Sequence, residues 1–392
     1  MENESVNIEE VILKSIDFIE KNKYKSFDVF DALTNPFLNK ITSINSLFRR
    51  ITIQLNAKSF INFRFLGMKP MVHTKTLSDM LQIYSLLYQE TGNTEYLVKA
   101  EQMYKSLIDI KLNTNNGIAW GLNFPYTSRF ISADVKMPNL YNTTNSALAL
   151  LDYYTVAPSK EIENTILQAI SFIIKDLQYV EIDNHTGWIR YYPNQKIPTF
   201  NVNALAAYFF VKANTVLNQN CVDNKMIGKI LSLLTKYQNK DGSWGYALSE
   251  NGKWVDGFHT GYILESLSYI HSKNQEFNLL ETIRKGFNFY INKLFTKDYV
   301  PKYYPHKRFP IESQNCAQAI QTIALLRPTI DIQKDVLINV IDQTLKNLYN
   351  KEGYFYYKKE KFLLHKNIYF RWSQTPMILA LVYSNRTLKE IK

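Results

Sequence analysis

The sequence predicts an all-α chain folded as an (α/α)6 toroid, with short β-hairpins in the outer-to-inner loops. Three observations carry this. Amphipathic helical segments alternate with segments that are apolar nearly all round. Five short aromatic motifs, each built on a Gly- or Asp-containing turn, recur roughly 55–70 residues apart. Each motif lies between an amphipathic segment and an apolar one.

The amphipathic segments would form the outer ring, beginning with residues 8–22. In EIENTILQAISFIIKDLQ, Ile162, Ile166, Ile170, Ile173 and Leu177 recur at helical spacing. LLETIRKGFNFYINKLF repeats this with Leu280, Ile283, Phe287, Tyr290 and Leu294, and DIQKDVLINVIDQTLKNLY with Val336, Val340 and Leu348. The other class is rich in small residues: HTKTLSDMLQIYSLLYQE, SALALLDYY, NALAAYFFV, GYILESLSYI, AQAIQTIALL and PMILALVYS. A helix apolar on every face is buried on every face, so these form the inner ring, starting near residues 74, 142, 202, 260, 314 and 372. The motifs NNGIAWG, HTGWIRYY, KDGSWGY, KDYVPKYY and KEGYFYY alternate with period two and read as short strands, and SENGKW carries an Asn-Gly hairpin turn. The whole chain, 1–392, reads as one toroid domain with an N-terminal helical extension over about 1–70 packed on it.

In such a ring all inner N-termini share one end, where the long loops gather. That end offers free N–H groups and partial positive charge, which suit an anionic ligand. The loops are polar there. WVDGFHTGY (254–262) brings Asp256 and His259, with Trp254 and Tyr262 as walls and Gly257 and Gly261 for close backbone approach. Loop two carries Arg129, Asp134 and Asn142; loop three Arg190, Tyr191, Asn201 and Asn203; loop five Lys302, Glu312 and Gln314; loop six Arg371 and Gln374. The N-terminal SFDVFDAL adds Asp28 and Asp31. Asp256, His259, Glu312 and Asp31 are the candidate catalytic groups. Arg129, Asp134, Asn142, Tyr191, Asn201, Trp254, Tyr262, Gln314, Arg371 and Gln374 are the candidate binding groups. The competing structural roles are helix caps for Asn142, Asn201, Asp256 and Glu312, an ion pair for Arg129 with Asp134, and a core histidine for His259.

Composition narrows the partners. The chain has 392 residues, a formal net charge of +11, 14% aromatic content and two cysteines far apart in sequence. Neither cysteine belongs to a disulfide framework or a zinc motif. No metal signature, Walker loop, GxGxxG or GxSxG occurs, so no cofactor or metal is expected. No dense Lys/Arg stripe argues for nucleic acid. The expected partner is a glycan or sugar-containing ligand, with anionic character favoured by the charge. With no run of eighteen apolar residues and an acidic start, the expected location is cytoplasmic. Residues 36–58 form a basic amphipathic stretch with Ile41, Ile44, Phe48 and Ile51 on one side. A packed helix is the favoured reading of it, ahead of peripheral contact with the inner membrane or with assembly proteins.

KDGSWGY resembles the QW-type repeat of terpene cyclases and protein prenyltransferases, but neither a DxDD motif nor a recognisable zinc site accompanies it. A broader resemblance rests on SFDVFDAL (26–33), NFRFLG (62–67), WGLNFPYTSR (120–129), MPN (137–139), WVDGFHTGY, RFPIESQNCAQAIQT (308–322) and FRWSQ (370–374). In these motifs, spread across almost the whole chain, the sequence is similar to VpsJ-like polysaccharide biosynthesis proteins. The resemblance implies an α/α toroid of exopolysaccharide, capsule or O-antigen assembly and transfers no catalytic role. Phe27 stands where that family's motif leads one to expect tyrosine.

Three functions follow for testing. One is a carbohydrate-active enzyme working by hydrolysis, elimination or epimerisation. The others are a non-catalytic glycan-binding scaffold and a toroid acting on a polyprenyl chain. Two facing carboxylates would favour hydrolysis, since a glycosidase needs them across the bond. A histidine with Arg and Asn would favour elimination or epimerisation, with His259 or a tyrosine as base. A dry aromatic tunnel would favour the polyprenyl reading.

Overall fold

The computed structural model describes residues 7–58, 66–128 and 130–390. Outer helix α1 (Ile8–Lys21) is followed by two short helices, α2 (Pro36–Thr42) and α3 (Ser46–Ala57). Inner and outer helices then alternate: α4 (Thr74–Thr91), α5 (Thr94–Asp109), α6 (Leu140–Tyr154), α7 (Lys160–Ser171), α8 (Phe200–Val216), α9 (Asn224–Lys236), α10 (Gly257–Lys273), α11 (Leu280–Lys293), α12 (Ser313–Leu326), α13 (Lys334–Leu348) and α14 (Thr375–Lys389). The inner ring closes in the order α4, α6, α8, α10, α12, α14 and back to α4. Helices α5, α7, α9, α11 and α13 each back the inner helix before them, and α1 backs α14.

The expected ring is therefore present, and the inner helices begin within three residues of the expected positions. The last is preceded by a π turn, Phe370–Gln374. Outer-to-inner connections are long and inner-to-outer ones short; α4 and α5 are joined by Gly92 and Asn93 alone. Residues 22–73, including α2 and α3, are the first outer-to-inner connection, and α1 belongs to the outer ring itself.

Why the aromatic motifs recur becomes clear from their backbone bonds. The first N–H of α6 donates to Tyr191 O, that of α8 to Tyr246 O, that of α10 to Tyr303 O and that of α12 to Tyr357 O. Four of the five motifs thus satisfy an otherwise free donor at an inner N-terminus and leave a tyrosine beside that terminus. Side chains of the inner helices hold the hairpins in turn. Thr143 bonds Trp120 N and O, Asn203 bonds Ile189 N and O, and Gln374 bonds Phe355 N and O. The turn glycines Gly242 and Gly353 share φ +93°, and a Cβ there would run into backbone of outer helices α11 and α1.

Two expected local structures differ. Residues 249–254 form no hairpin but a 3₁₀ turn over Glu250–Gly252. Paired strands form in the first, second and fifth aromatic motifs, whereas an isolated bridge at Ala247 follows the third and two, at Pro301 and Tyr304, fall in the fourth. The favoured reading of residues 36–58 also fails in part. Helix α3 packs through Ile53, Asn56 and Ala57, but Ile41, Ile44, Phe48 and Ile51 are all exposed.

Candidate active site

The inner N-termini surround a cavity of about 1020 Å³. Its walls are largely aromatic: Tyr126, Tyr141, Tyr191, Tyr192, Tyr246, Trp254, Phe258, Tyr303, Tyr357 and Trp372 all line it. Trp254 stacks on Tyr246 with ring centres 4.6 Å apart and planes 11° apart, giving a flat double ring at one side. Helix α3 and the hairpin carrying Lys358 complete the wall.

His259 lies in the first turn of α10, and its ring meets Tyr246, Trp254 and Phe258 edge-on. Asp256 is the N-cap of the same helix. Its Oδ1 accepts from His259 N at 2.8 Å and its Oδ2 from His259 Nδ1 at 2.7 Å. One carboxylate thus fulfils the cap and fixes the imidazole, leaving Nε2 free to exchange a proton. Asp256 is fully buried and does not line the cavity, which corrects the expectation that both side chains face it. It is a positioning residue.

Glu312 is the N-cap of α12 and does line the cavity. One oxygen accepts from Asn315 N at 2.9 Å and the other from the Trp372 indole N–H. Burial pushes its pKa from 4.5 up to about 7, against the opposing pull of those donors. Rings connect the two groups: His259 touches Phe258, Phe258 lies 6.4 Å from Trp372, and Trp372 bonds Glu312. Burial raises the pKa values of Tyr191, Tyr192, Tyr246, Tyr303 and Tyr357, so these phenols keep their protons at neutral pH.

Asn142, Asn201 and Gln314 line the cavity from α6, α8 and α12. The amide oxygens of Asn201 and Gln314 are buried without a protein partner, as an acceptor waiting for a ligand hydroxyl would be. Neither asparagine caps its helix; the cap of α6 is Asn139. Arg371 also lines the cavity, stacked on Trp372 and Phe124, and is held by Asp28 through bonds of 2.6 and 2.7 Å. Although burial opposes it, the guanidinium keeps the Asp28 carboxyl below the usual range. Arg50, Lys58 and Lys358 add three further cations, so among the described residues Glu312 is the one acidic side chain in the lining.

Other expected site residues lie elsewhere. Asp31 accepts from Asp28 N at 2.7 Å and from Asn56 Nδ2, closing its own turn away from the cavity. Asp134 is exposed on a hairpin. Gln374 is the backbone clamp described above and has no amide group to spare. Arg190 and Lys302 do not line the cavity either, and Lys302 donates to Pro305 O. Arg129 lies outside the described residues. Tyr262 sits beneath the cavity: its hydroxyl bonds Tyr141 OH at 3.0 Å, and its ring lines a second chamber of about 40 Å³ on the barrel axis. That chamber was not foreseen. Lys75 bonds Asp79 there at 2.7 Å, and Glu265 accepts from Gln318 and Gln321 at 2.9 Å. Among the described residues no three His, Cys, Asp or Glu side chains form a metal-holding group.

No protein-family model matches the sequence, nor does any curated protein. Solved structures do match. A sugar epimerase from a ruminal bacterium aligns with TM-score 0.61 at 13% identity, over 80% of this chain and 88% of its own. The GH76 α-mannanase BT2949 of Bacteroides thetaiotaomicron aligns with TM-score 0.61 at 11% identity, over 81% and 87%. A polysaccharide lyase aligns with TM-score 0.62 at 10% identity, over 99% of this chain and 98% of its own. These likenesses show the fold: an (α/α)6 toroid. In the described residues no helix is long and apolar enough to cross a membrane.

Proposed function

We propose that the protein is a carbohydrate-active enzyme that moves a proton at a sugar carbon, by epimerisation or elimination, in surface polysaccharide assembly. The observation that carries this is the composition of the cavity's acid–base pair. One carboxyl group, Glu312, and one carboxylate-held imidazole, His259, face the ligand space. A hydrolase built on two carboxylates would need a second one, and Asp31, Asp134 and Asp256 are all directed elsewhere. His259 Nε2 takes the proton α to a carbonyl or carboxylate group. Glu312, near half-protonated at neutral pH, returns a proton to the opposite face or to the departing glycosidic oxygen. Asn142, Asn201 and Gln314 bind hydroxyls, and the stacked Tyr246–Trp254 pair offers a flat apolar face to a sugar ring.

Three further points support the reading. The aligned structures include a sugar epimerase and a polysaccharide lyase. The excess of cations suits a uronate or another anionic sugar. The polar amides speak against a polyprenyl tunnel, and the raised Glu312 pKa speaks against a passive scaffold. The assembly role rests on the resemblance of seven motifs to VpsJ-like proteins, and several of those motifs contribute to the cavity, WVDGFHTGY, RFPIESQNCAQAIQT and FRWSQ among them.

The test is deuterium exchange. The protein is incubated in D₂O with reducing disaccharides and with uronate oligosaccharides, and the products are read by NMR. Deuterium at the reacting carbon, lost in His259→Gln, is the expected result. New reducing ends without carbon-bound deuterium would mean hydrolysis and overturn the proposal.

A further inference from the structure

Two elements of the cavity wall carry exposed apolar side chains among the described residues: α3, whose Leu47 (52% exposed) and Ile51 (45%) line the cavity, and the hairpin that starts at Lys358. On α2 and the turn after it, Phe37 is 66% exposed and Ile44 86%; on α3, Phe48 is 56% exposed. The hairpin that leaves the wall at Lys358 ends in Phe362, 90% exposed, and Leu363, 57% exposed. Isolated exposed apolar residues are ordinary, but here they gather on two separate elements that both contribute to the wall of one cavity.

The charges beside them in sequence are nearly all positive. From Pro36 to Lys58 the chain has Lys40, Arg49, Arg50 and Lys58 and no carboxylate. Lys358, Lys359, Lys361 and Lys366 flank the second tip, with Glu360 the one acid among them. Apolar residues set among cations match the interfacial zone of a bilayer with anionic headgroups, where rings and aliphatic chains enter the acyl boundary and Lys or Arg meet phosphate. A protein partner would require a complementary acidic face; the bilayer supplies both chemistries at once.

We infer that this rim docks on an anionic lipid surface, with the α2–α3 pair and the 360–363 turn inserted and the cavity mouth facing the headgroups. The cavity then receives its ligand from the membrane plane. Nothing in this depends on which reaction occurs inside, so the docking and the sugar chemistry stand or fall separately.

The experiment is co-sedimentation of the full chain with vesicles of equal parts phosphatidylglycerol and phosphatidylcholine, against vesicles of phosphatidylcholine alone. Binding at least about ten-fold tighter to the mixed vesicles, weakening as salt is raised, is expected. The triple variant Ile44→Ser, Phe48→Ser, Phe362→Ser should bind about ten-fold more weakly with an unchanged melting temperature, because all three side chains are exposed. Equal binding to both vesicle types, or equal binding by wild type and variant, overturns the inference. So does a wild type that ignores vesicles but self-associates through residues the variant lacks, since the rim would then be a contact between copies.

Discussion

Replacing Glu312 by Gln should reverse its effect on stability between acid and alkaline pH. Its carboxyl titrates at about 7 in the folded chain instead of 4.5, so the folded state holds the proton more tightly. A raised carboxyl pKa gives stability that is fully present below 4.5 and is lost as pH rises through about 7. The whole gap is worth about 3 kcal/mol, of which about 2.5 kcal/mol develops between pH 5 and pH 8.5. Gln avoids that cost, but its single oxygen cannot serve both Asn315 N and Trp372 Nε1, a loss of about 1–2 kcal/mol at any pH. The variant should therefore be less stable than wild type at pH 5 and more stable at pH 8.5. Urea denaturation at both pH values measures this. A stability difference that is the same at both would show that Glu312 is not held neutral by burial. Turnover should fall by about 10²–10⁴-fold, as for loss of a general acid or base.

Three further substitutions probe the rest of the site. Asp256→Asn keeps an oxygen for the helix cap but loses the anionic acceptor of His259 Nδ1; turnover should drop on the order of 10²-fold while stability changes by about 1 kcal/mol. Trp254→Ala removes half of the stacked pair, and KM for a sugar ligand should rise roughly ten-fold with kcat little changed. Gly261→Ala should destabilise by about 1–3 kcal/mol in thermal unfolding, because its Cβ would sit 2.7 Å from Gln318 Cγ and 2.8 Å from Thr322 Oγ1 of the neighbouring inner helix.

The ring was legible because its signal is periodic and repeated six times. Outer helices show a stripe, inner helices show none, and no single ambiguous segment can spoil that alternation. The site was legible where loop position alone decided it, as for His259, Glu312, Asn142, Asn201 and Gln314, all at inner N-termini. It was not legible where side-chain direction decided it. Asp31 and Asp28 are three positions apart in one motif, yet one closes the local turn and the other reaches Arg371 some 343 residues away. Gln374 and Gln314 are both polar residues entering an inner helix, but only the hairpin beside Gln374 needs its amide. The axial chamber escaped notice because single polar residues such as Lys75 and Glu265 look like interruptions in apolar helices. Only ring closure shows that they meet.

Glu312 and His259 differ in what a ligand will do to them. Asp256 holds His259 from behind, where no ligand reaches, so the imidazole's anchoring is fixed before binding. Glu312 is itself part of the wall, and the chief influence on its pKa is burial. A sugar seated in the cavity that covers the rest of this carboxyl, and an anionic sugar above all, raises the pKa again. Binding near pH 7.5 should therefore draw a proton from solution, arming Glu312 as the acid at the moment His259 is needed as the base. Calorimetric titration with a bound sugar, repeated in buffers of different ionisation enthalpy, counts that proton. Uptake of up to about three-quarters of a proton per ligand in the wild type, and none in Glu312→Gln, is expected. If the wild type binds with no proton change at pH 7.5, ligand and carboxyl do not share the cavity, and the assignment of Glu312 as the acid falls.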